Sequence, residues 1–170
     1  MSDGKLASHP GSAASVGSPS SVHDAAGAGI DSVVCFALAG AGYALDVAVV
    51  REVVPVDRLL AIPRAPAPII GAFALRGATV ALVDSRILFG LDAGGAHTTA
   101  LIIARGHRTL CALTVDGAVG VVRFAEASFT PALRGREPPQ VAGFISDERG
   151  GLITVLDTRI IVHSLERLRF

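Results

Sequence analysis

Short apolar runs separated by turn residues dominate the chain after residue 30. The first run, Val33–Leu38, is followed by an Ala-Gly-Ala-Gly stretch that predicts a hairpin turn. Tyr43, Leu45 and Val47 come next at period two, so we predict that they share one face of a strand. The same criteria predict further strands at Val49–Val54, Thr79–Val83, Thr99–Ala104, Thr109–Val115, Val119–Phe124, Val141–Ile145 and Leu152–Leu156. Many short strands at this spacing favour an all-β fold of barrels or a sandwich over a parallel α/β fold.

The two ends of the chain differ from this β-rich middle. Residues 1–29 are mostly Ser, Ala and Gly, with Pro10 and Pro19 and no periodic apolar pattern. This composition predicts a flexible tail before a folded domain over residues 30–170. A last stripe of apolar residues at helical spacing, including Ile161, Leu165 and Leu168, predicts a C-terminal helix.

The β-rich region contains an internal repeat. Residues 77–87 align without a gap with residues 150–160, and a glycine precedes each segment, Gly71 in the first copy and Gly143 in the second. Residues 43–54 resemble residues 111–122, so the repeat motifs span 43–87 and 111–160. Two matches in the same order indicate a duplication.

The size of the repeat predicts how its copies pack. A half of about 70 residues buries only a small core, so we expect the two halves to pack together around a further apolar layer. Such a layer accounts for runs that are apolar on both faces, as in Val33–Leu38 and Thr99–Ala104.

Composition and charge narrow the function. Apolar residues make up 51% of the chain and charged residues 18%, with a net charge of zero at pH 7. The charges are dispersed, so the chain offers no basic surface for a nucleic acid backbone. It also has no uncharged apolar run of about 18 residues for a membrane span. No apolar signal-peptide segment follows the N-terminus, so we expect a cytoplasmic protein.

Residue types that could carry chemistry lack the spacing that the chemistry requires. Cys35 and Cys111 lie inside apolar runs and are predicted to be core residues. The five histidines show no metal-ligand spacing, the glycine-rich stretches no phosphate-binding motif, and the serines no nucleophile motif. We therefore predict no catalytic, cofactor-binding or metal-binding residue.

Asp84 and Asp157 occupy matching positions of the repeat, directly after apolar strands. A twofold pair of aspartates is also a feature of the aspartic protease dyad, in which two carboxylates share a proton. That dyad lies in Asp-Thr/Ser-Gly turns, whereas Arg86 and Arg159 occupy the glycine positions here. The pattern favours helix N-caps, each followed by an apolar helical turn.

Arg76 lies between an apolar segment and a predicted strand, and Gly77 after it allows a turn. The pattern alone leaves two interpretations open. The side chain is either a surface arginine at the mouth of a hairpin or an anchor that faces a partner, since arginine is enriched at interaction hot spots.

An ordered set of short motifs resembles CheW domains over about residues 31–169. The motifs are Val50-Arg-Glu-Val53, Ile62-Pro63, Gly71, Leu75-Arg76-Gly77, Val83-Asp84 with Arg86, Val115-Asp116, Gly143 and Leu156-Asp157. The resemblance implies an all-β fold of two five-stranded, SH3-like β-barrels packed around an apolar interface, with short helices and a C-terminal helix.

The same resemblance implies a function. CheW-like proteins couple the cytoplasmic tips of chemoreceptors to the regulatory domain of the histidine kinase CheA within a membrane-associated signalling array. They catalyse no reaction and need no cofactor. Carried over by position, the residues implied in partner binding are Val50, Glu52, Val53, Gly71, Arg76 and Gly77.

The chain departs from the usual family pattern at Ala74, Ala81 and Ser85, where Asn, Pro and Leu are common. An alternative therefore stays open. In it, the protein binds only one of the two partners as a competitor, or serves a separate array for surface motility or second-messenger control.

Overall fold

The structure is a computed structural model that describes residues 32–92, 94–95, 98–124, 128–146 and 150–168. The flexible tail expected over residues 1–29 lies outside the described residues. Within them, the elements in chain order are β1 Ser32–Leu38, β2 Ala41–Asp46, β3 Val50–Pro55, β4 Ile69–Leu75, β5 Ala78–Val83, α1 Ser85–Phe89, β6 Thr99–Arg105, β7 Arg108–Val115, β8 Gly117–Arg123, β9 Phe129–Pro131, β10 Val141–Ser146, β11 Leu152–Leu156 and α2 Thr158–Glu166.

The strands form two sheets. The six-stranded sheet has the order β8-β1-β2-β11-β10-β9, and the five-stranded sheet has the order β3-β6-β7-β5-β4. Neighbouring strands are antiparallel except in the β2–β11 and β5–β7 pairs, which are parallel. The predicted all-β fold, with short helices and a C-terminal helix, is confirmed.

Each sheet takes strands from both copies of the repeat. In the six-stranded sheet, β1 and β2 of the first copy pair with β8 and β11 of the second. In the five-stranded sheet, β6 and β7 of the second copy pair with β3 and β5 of the first. Each copy therefore crosses between the sheets after its second strand. The halves of the sequence are not the halves of the structure, and neither copy completes a sheet alone.

An aspartate stabilises each of the two crossings. Between β2 and β3 lies one 3-10 turn, Val47–Val49, and its N-cap Asp46 accepts a hydrogen bond from a backbone amide of the turn at 2.8 Å. Between β7 and β8 lies only Asp116. Its carboxylate accepts hydrogen bonds from the Ala39 amide at 2.8 Å and from the Arg86 guanidinium at 2.6 Å.

Two details of the strands differ from the sequence-based prediction. The prediction that Val47 shares a strand face with Tyr43 and Leu45 is wrong. Val47 lies in the 3-10 turn and is exposed, because the chain leaves the six-stranded sheet there. Strands β4 and β9 were not predicted. Strand β4 is mostly buried and carries a bulge at Gly71, so it lacks a clear period-two alternation, and β9 has only three residues.

The repeat reappears in the irregularities of the sheets. The β4–β5 hairpin shifts register between Ile69 and Gly71, and the β10–β11 hairpin shifts register between Val141 and Gly143. Because the same bulge occurs at matching positions, the duplication extends from the sequence to the path of the backbone.

Alternate residues of β1 and β6 enter different apolar cores. One set faces a large core between the sheets, called here the shared core, and the other faces a smaller core within each sheet. The shared-core residues of these strands are Val34, Phe36, Leu38, Leu101 and Ile103. The residues facing the smaller cores are Val33, Cys35, Ala100 and Ile102. A further apolar layer is present, but it lies between the two sheets and not, as expected, between the two halves of the sequence. It explains why these strands are apolar on both faces.

All five strands of the five-stranded sheet contribute to its own small core, through residues that include Val54, Phe73, Val80, Ala100 and Ala112. Its two edge strands, β3 and β4, therefore reach the same cluster. A sheet can bring both edges to one cluster only by curling, as the strands of a small barrel do.

Replacing Leu101 by alanine tests the shared core. Leu101 is fully buried, so we expect the substitution to lower the free energy of unfolding by about 3–5 kcal/mol in urea denaturation. The matched control is Leu152→Ala, because the Leu152 side chain is 64% exposed and its loss is expected to cost less than about 1 kcal/mol. Equal losses in the two variants would contradict the assignment.

Candidate protein-binding site

Arg76 and Gly77 form the two-residue turn of the β4–β5 hairpin. Leu75 pairs with Ala78 across the turn, and the φ angles are 49° at Arg76 and 83° at Gly77. Two positive φ angles are the pattern of a type I′ turn, whose twist matches that of the flanking strands. Gly77 adopts this conformation without strain, and the turn projects Arg76 from the end of the hairpin with its side chain 76% exposed.

The Arg76 guanidinium forms an ion pair with the Glu52 carboxylate, with Nη2 and Oε2 2.7 Å apart. Glu52 lies on β3, whereas Arg76 follows β4, so the pair joins the opposite edges of the curled sheet. The place where these two edges meet, marked by Glu52 and Arg76, is called here the seam. Because Arg76 is largely exposed, the pair contributes only about 0–1 kcal/mol to stability. Its main effect is to orient the guanidinium.

Strand β3 supplies apolar surface beside this ion pair. Val53 is 42% exposed, whereas Val50 is half-buried against the shared core. The strand is at the edge of its sheet, and within the described residues it pairs only with β6. Exposed apolar side chains next to a few charges are typical of a protein-binding surface. The structure thus places five of the predicted residues, Val50, Glu52, Val53, Arg76 and Gly77, at the seam or on its edge strand.

Gly71, the sixth predicted residue, is buried under the chain's own backbone. A Cβ atom at this position would lie 2.7 Å from the Leu60 carbonyl oxygen and 2.7 Å from Leu59 Cγ. Leu60 and Ala72 exchange two backbone hydrogen bonds, of 2.7 and 2.8 Å, that hold this crossing in place. Gly143 is crowded in the same way by Phe129 and Thr130. Gly71 therefore permits close approach by residues 59–60, and it does not lie at the surface.

Two sets of exposed apolar residues were not predicted from the sequence. Leu59 and Leu60, 41% and 64% exposed, lie in the proline-rich connection that covers Gly71. Val121 and Val122, 61% and 36% exposed, lie on β8, the edge strand that corresponds to β3 in the repeat. The second set could have been predicted from the internal repeat, since Val121 and Val122 align with Val53 and Val54.

The two aspartates of the repeat are helix N-caps, as predicted. Asp84 Oδ1 accepts a hydrogen bond from the Arg86 amide at 2.9 Å. Asp157 Oδ1 accepts hydrogen bonds from the Arg159 amide at 2.9 Å and the Ile160 amide at 3.3 Å. Each carboxylate therefore caps the first turn of a helix.

Both cysteines are buried core residues, as predicted. Burial raises the pKa of the Cys111 thiol to about 12 and also raises the pKa of Cys35. Both thiols are therefore protonated at neutral pH and neither supplies a thiolate nucleophile. Among the described residues, no three His, Cys, Asp or Glu side chains come together as metal ligands. No helix in the same part of the chain is long and apolar enough to cross a membrane.

Replacing Gly71 by alanine is expected to lower the free energy of unfolding by about 1–3 kcal/mol, because the added methyl group collides with the Leu60 carbonyl oxygen and the Leu59 side chain. Gly117→Ala is the matched control, since a Cβ there meets nothing within 4 Å and the backbone is not left-handed. Chemical denaturation of both variants measures the difference. A Gly71→Ala protein as stable as the control would show that the crossing is not tightly packed.

Comparison with known proteins agrees with this geometry. A profile of the CheW-like domain matches residues 32–166, which is most of the chain. The crystal structure of the scaffolding protein TtCheW from Thermoanaerobacter tengcongensis is similar, with a TM-score of 0.64 and 26% sequence identity. That similarity covers 75% of this chain and 88% of the other. The protein therefore belongs to the CheW-like domain family.

Proposed function

We propose that the protein is a non-enzymatic adaptor that couples chemoreceptors, the methyl-accepting chemotaxis proteins, to a CheA-type histidine kinase. In this role it is cytoplasmic and is recruited to membrane-associated receptor arrays. Its partners are the cytoplasmic tip of the receptor and the regulatory domain of the kinase. The observation that carries the proposal is the seam, where an exposed arginine is oriented beside an apolar strand edge.

The Arg76 guanidinium is suited to anchoring a partner. Glu52 accepts a hydrogen bond from one of its nitrogen atoms, Nη2, while the side chain is 76% exposed to solvent. A guanidinium has five N–H donors in a planar fork, so an oriented one can bind a carboxylate or carbonyl of a partner in addition to Glu52. Because the ion pair already restricts the side chain, less conformational entropy is lost on binding.

An adaptor needs two docking surfaces that do not overlap, and the repeat supplies them. Strand β3 is the edge of the five-stranded sheet and β8 is the corresponding edge of the six-stranded sheet. Both edges expose valines, Val53 on β3 and Val121 and Val122 on β8. The two edges differ in charge, because Gly120 occupies the repeat position of Glu52. Such a difference would let each edge select a different partner.

Co-purification tests the proposal directly. The tagged full-length protein is mixed with a purified receptor-tip fragment and a purified kinase regulatory domain, first separately and then together. An adaptor captures each partner alone and both in one complex. Capture of only one partner, with lowered kinase activity, would instead support a competitor that binds one side of the array.

Arg76→Ala is expected to weaken receptor binding about tenfold, since it removes the proposed anchor. The melting temperature should stay nearly unchanged, because the side chain is exposed and its ion pair is weak. Arg105→Ala is the matched control: the Arg105 side chain is 70% exposed and pairs with Glu166 on α2, at 2.8 Å, and not with a residue of the seam. A large drop in the melting temperature of Arg76→Ala, or equal weakening by the control, would contradict the assignment.

Glu52→Lys is expected to impair partner binding, because it places a second cation beside Arg76 and releases the guanidinium from its position. Pull-down of both partners measures the loss, and thermal denaturation verifies that the variant is folded. The control Glu166→Lys reverses the charge in the comparable ion pair with Arg105. Capture of both partners by Glu52→Lys at the level of the control would count against a role for the seam.

A further inference from the structure

A second candidate site lies on the six-stranded sheet, at a depression between the end of α1 and the segment that leads into β10. Its volume is about 230 Å³. The walls are mostly apolar and include Tyr43, Phe89, Leu91 and Phe144, and one ionisable side chain, Glu137, also lines it. This depression, called here the Glu137 pocket, shares none of its lining residues with the seam.

Glu137 is partly buried, and one of its two carboxylate oxygen atoms is shielded from solvent. Its Oε2 is buried and accepts no hydrogen bond from the described part of the chain. The nearby Gln140 side chain does not fill this role, since its Nε2 donates to the Phe89 carbonyl oxygen at 3.2 Å. A buried carboxylate oxygen without a donor is unfavourable, so a donor from outside the chain would be bound strongly for its size.

Comparison of the two copies of the repeat shows that residues at the pocket differ from their counterparts. Glu137 corresponds to Ala65 at the spacing that relates Gly143 to Gly71, and Ala65 packs against the shared core. Leu165 and Leu168, at the end of α2, belong to the same cluster. Helix α1 is the counterpart of α2 but ends after five residues, at Gly90, which has a φ of 74°. The first copy thus has no counterpart of the last turn of α2, and the second copy has a carboxylate where an apolar residue would fit.

Size and chemistry restrict the occupant. Typical small-molecule pockets have volumes of about 300–1,000 Å³, so the Glu137 pocket is better suited to one long side chain. The ring centroids of Tyr43 and Phe89 are 6.0 Å apart, so two aromatic side chains stand together at the site. Aromatic faces and a carboxylate both attract a cation that has an apolar stem. A guanidinium matches both features, because it stacks on rings and donates to carboxylates in its plane.

We propose that the Glu137 pocket receives an arginine side chain from a partner protein, with the guanidinium donating to Glu137 and the methylene stem lying against the aromatic and leucine walls. This contact is separate from the seam, and none of the residues that line the pocket lies on the β8 edge, so it is a further, charge-selective anchor.

Titration of the ¹⁵N-labelled full-length protein with Nα-acetyl-arginine amide, followed by NMR, tests the proposal. Saturable shifts are expected in the amides of Leu91, Glu137 and Phe144. Nα-acetyl-citrulline amide, which has nearly the same shape without the charge, is expected to bind at least about tenfold more weakly. Glu137→Gln is expected to weaken binding of the arginine probe by a similar factor.

Three variants show whether the response belongs to the Glu137 carboxylate. Glu166→Gln neutralises an exposed carboxylate elsewhere and should leave the titration unchanged, and Arg76→Ala should do the same if the two sites are independent. Glu137→Gln changes only the carboxylate and is expected to stay folded, which thermal denaturation verifies. Equal binding of citrulline, unchanged binding to Glu137→Gln, or the absence of saturable shifts at the pocket would each overturn the proposal.

Discussion

The shared core between the two sheets is the interaction on which the rest of the structure depends. Strands β1 and β6 contribute to it with one face and to a smaller core with the other. A repeat unit of about 70 residues buries only a small core alone and would be marginally stable. The exchange of strands between the copies removes that problem, since each sheet is complete only when both copies are folded.

This arrangement fixes the positions of the two edge strands that we propose as docking surfaces. Strands β3 and β8 each follow a short crossing from the opposite sheet, and the crossings are held by Asp46 and Asp116. Asp116 belongs to the second copy of the repeat, and its carboxylate accepts hydrogen bonds from the β1–β2 hairpin and from α1 of the first copy, so it joins the two copies. The adaptor that we propose would have to hold its partners at a constant relative position, and a single core with short crossings is a direct way to do so.

Much of the fold could be predicted from the sequence because the strands are short and bounded by clear turn signals, and because the repeat motifs have nearly constant spacing. Strand β4 could not, since burial on most of its length removes the alternation that marks a strand. The exchange of strands between copies could also not be predicted from the sequence, because periodicity identifies strands but not their pairing partners.

The candidate site was predictable to a similar extent. The motif around Arg76 identified the turn, but the contact with Glu52 depends on the curl of a sheet that brings residues 24 positions apart together. Gly71 could be predicted only in part. The sequence indicates that another group comes close to this glycine, but only the structure shows that this group is the chain's own residues 59–60.

Native-state hydrogen exchange tests the central claim most directly. If one shared core stabilises both sheets, the slowest amides of β1 and β6 should exchange with the same opening free energy, and both should respond equally to added denaturant. The claim would be contradicted if the amides of one sheet exchanged through a lower-energy opening while those of the other sheet stayed protected. The two sheets would then be independent units, and the protein could not hold its proposed docking edges in a fixed relation.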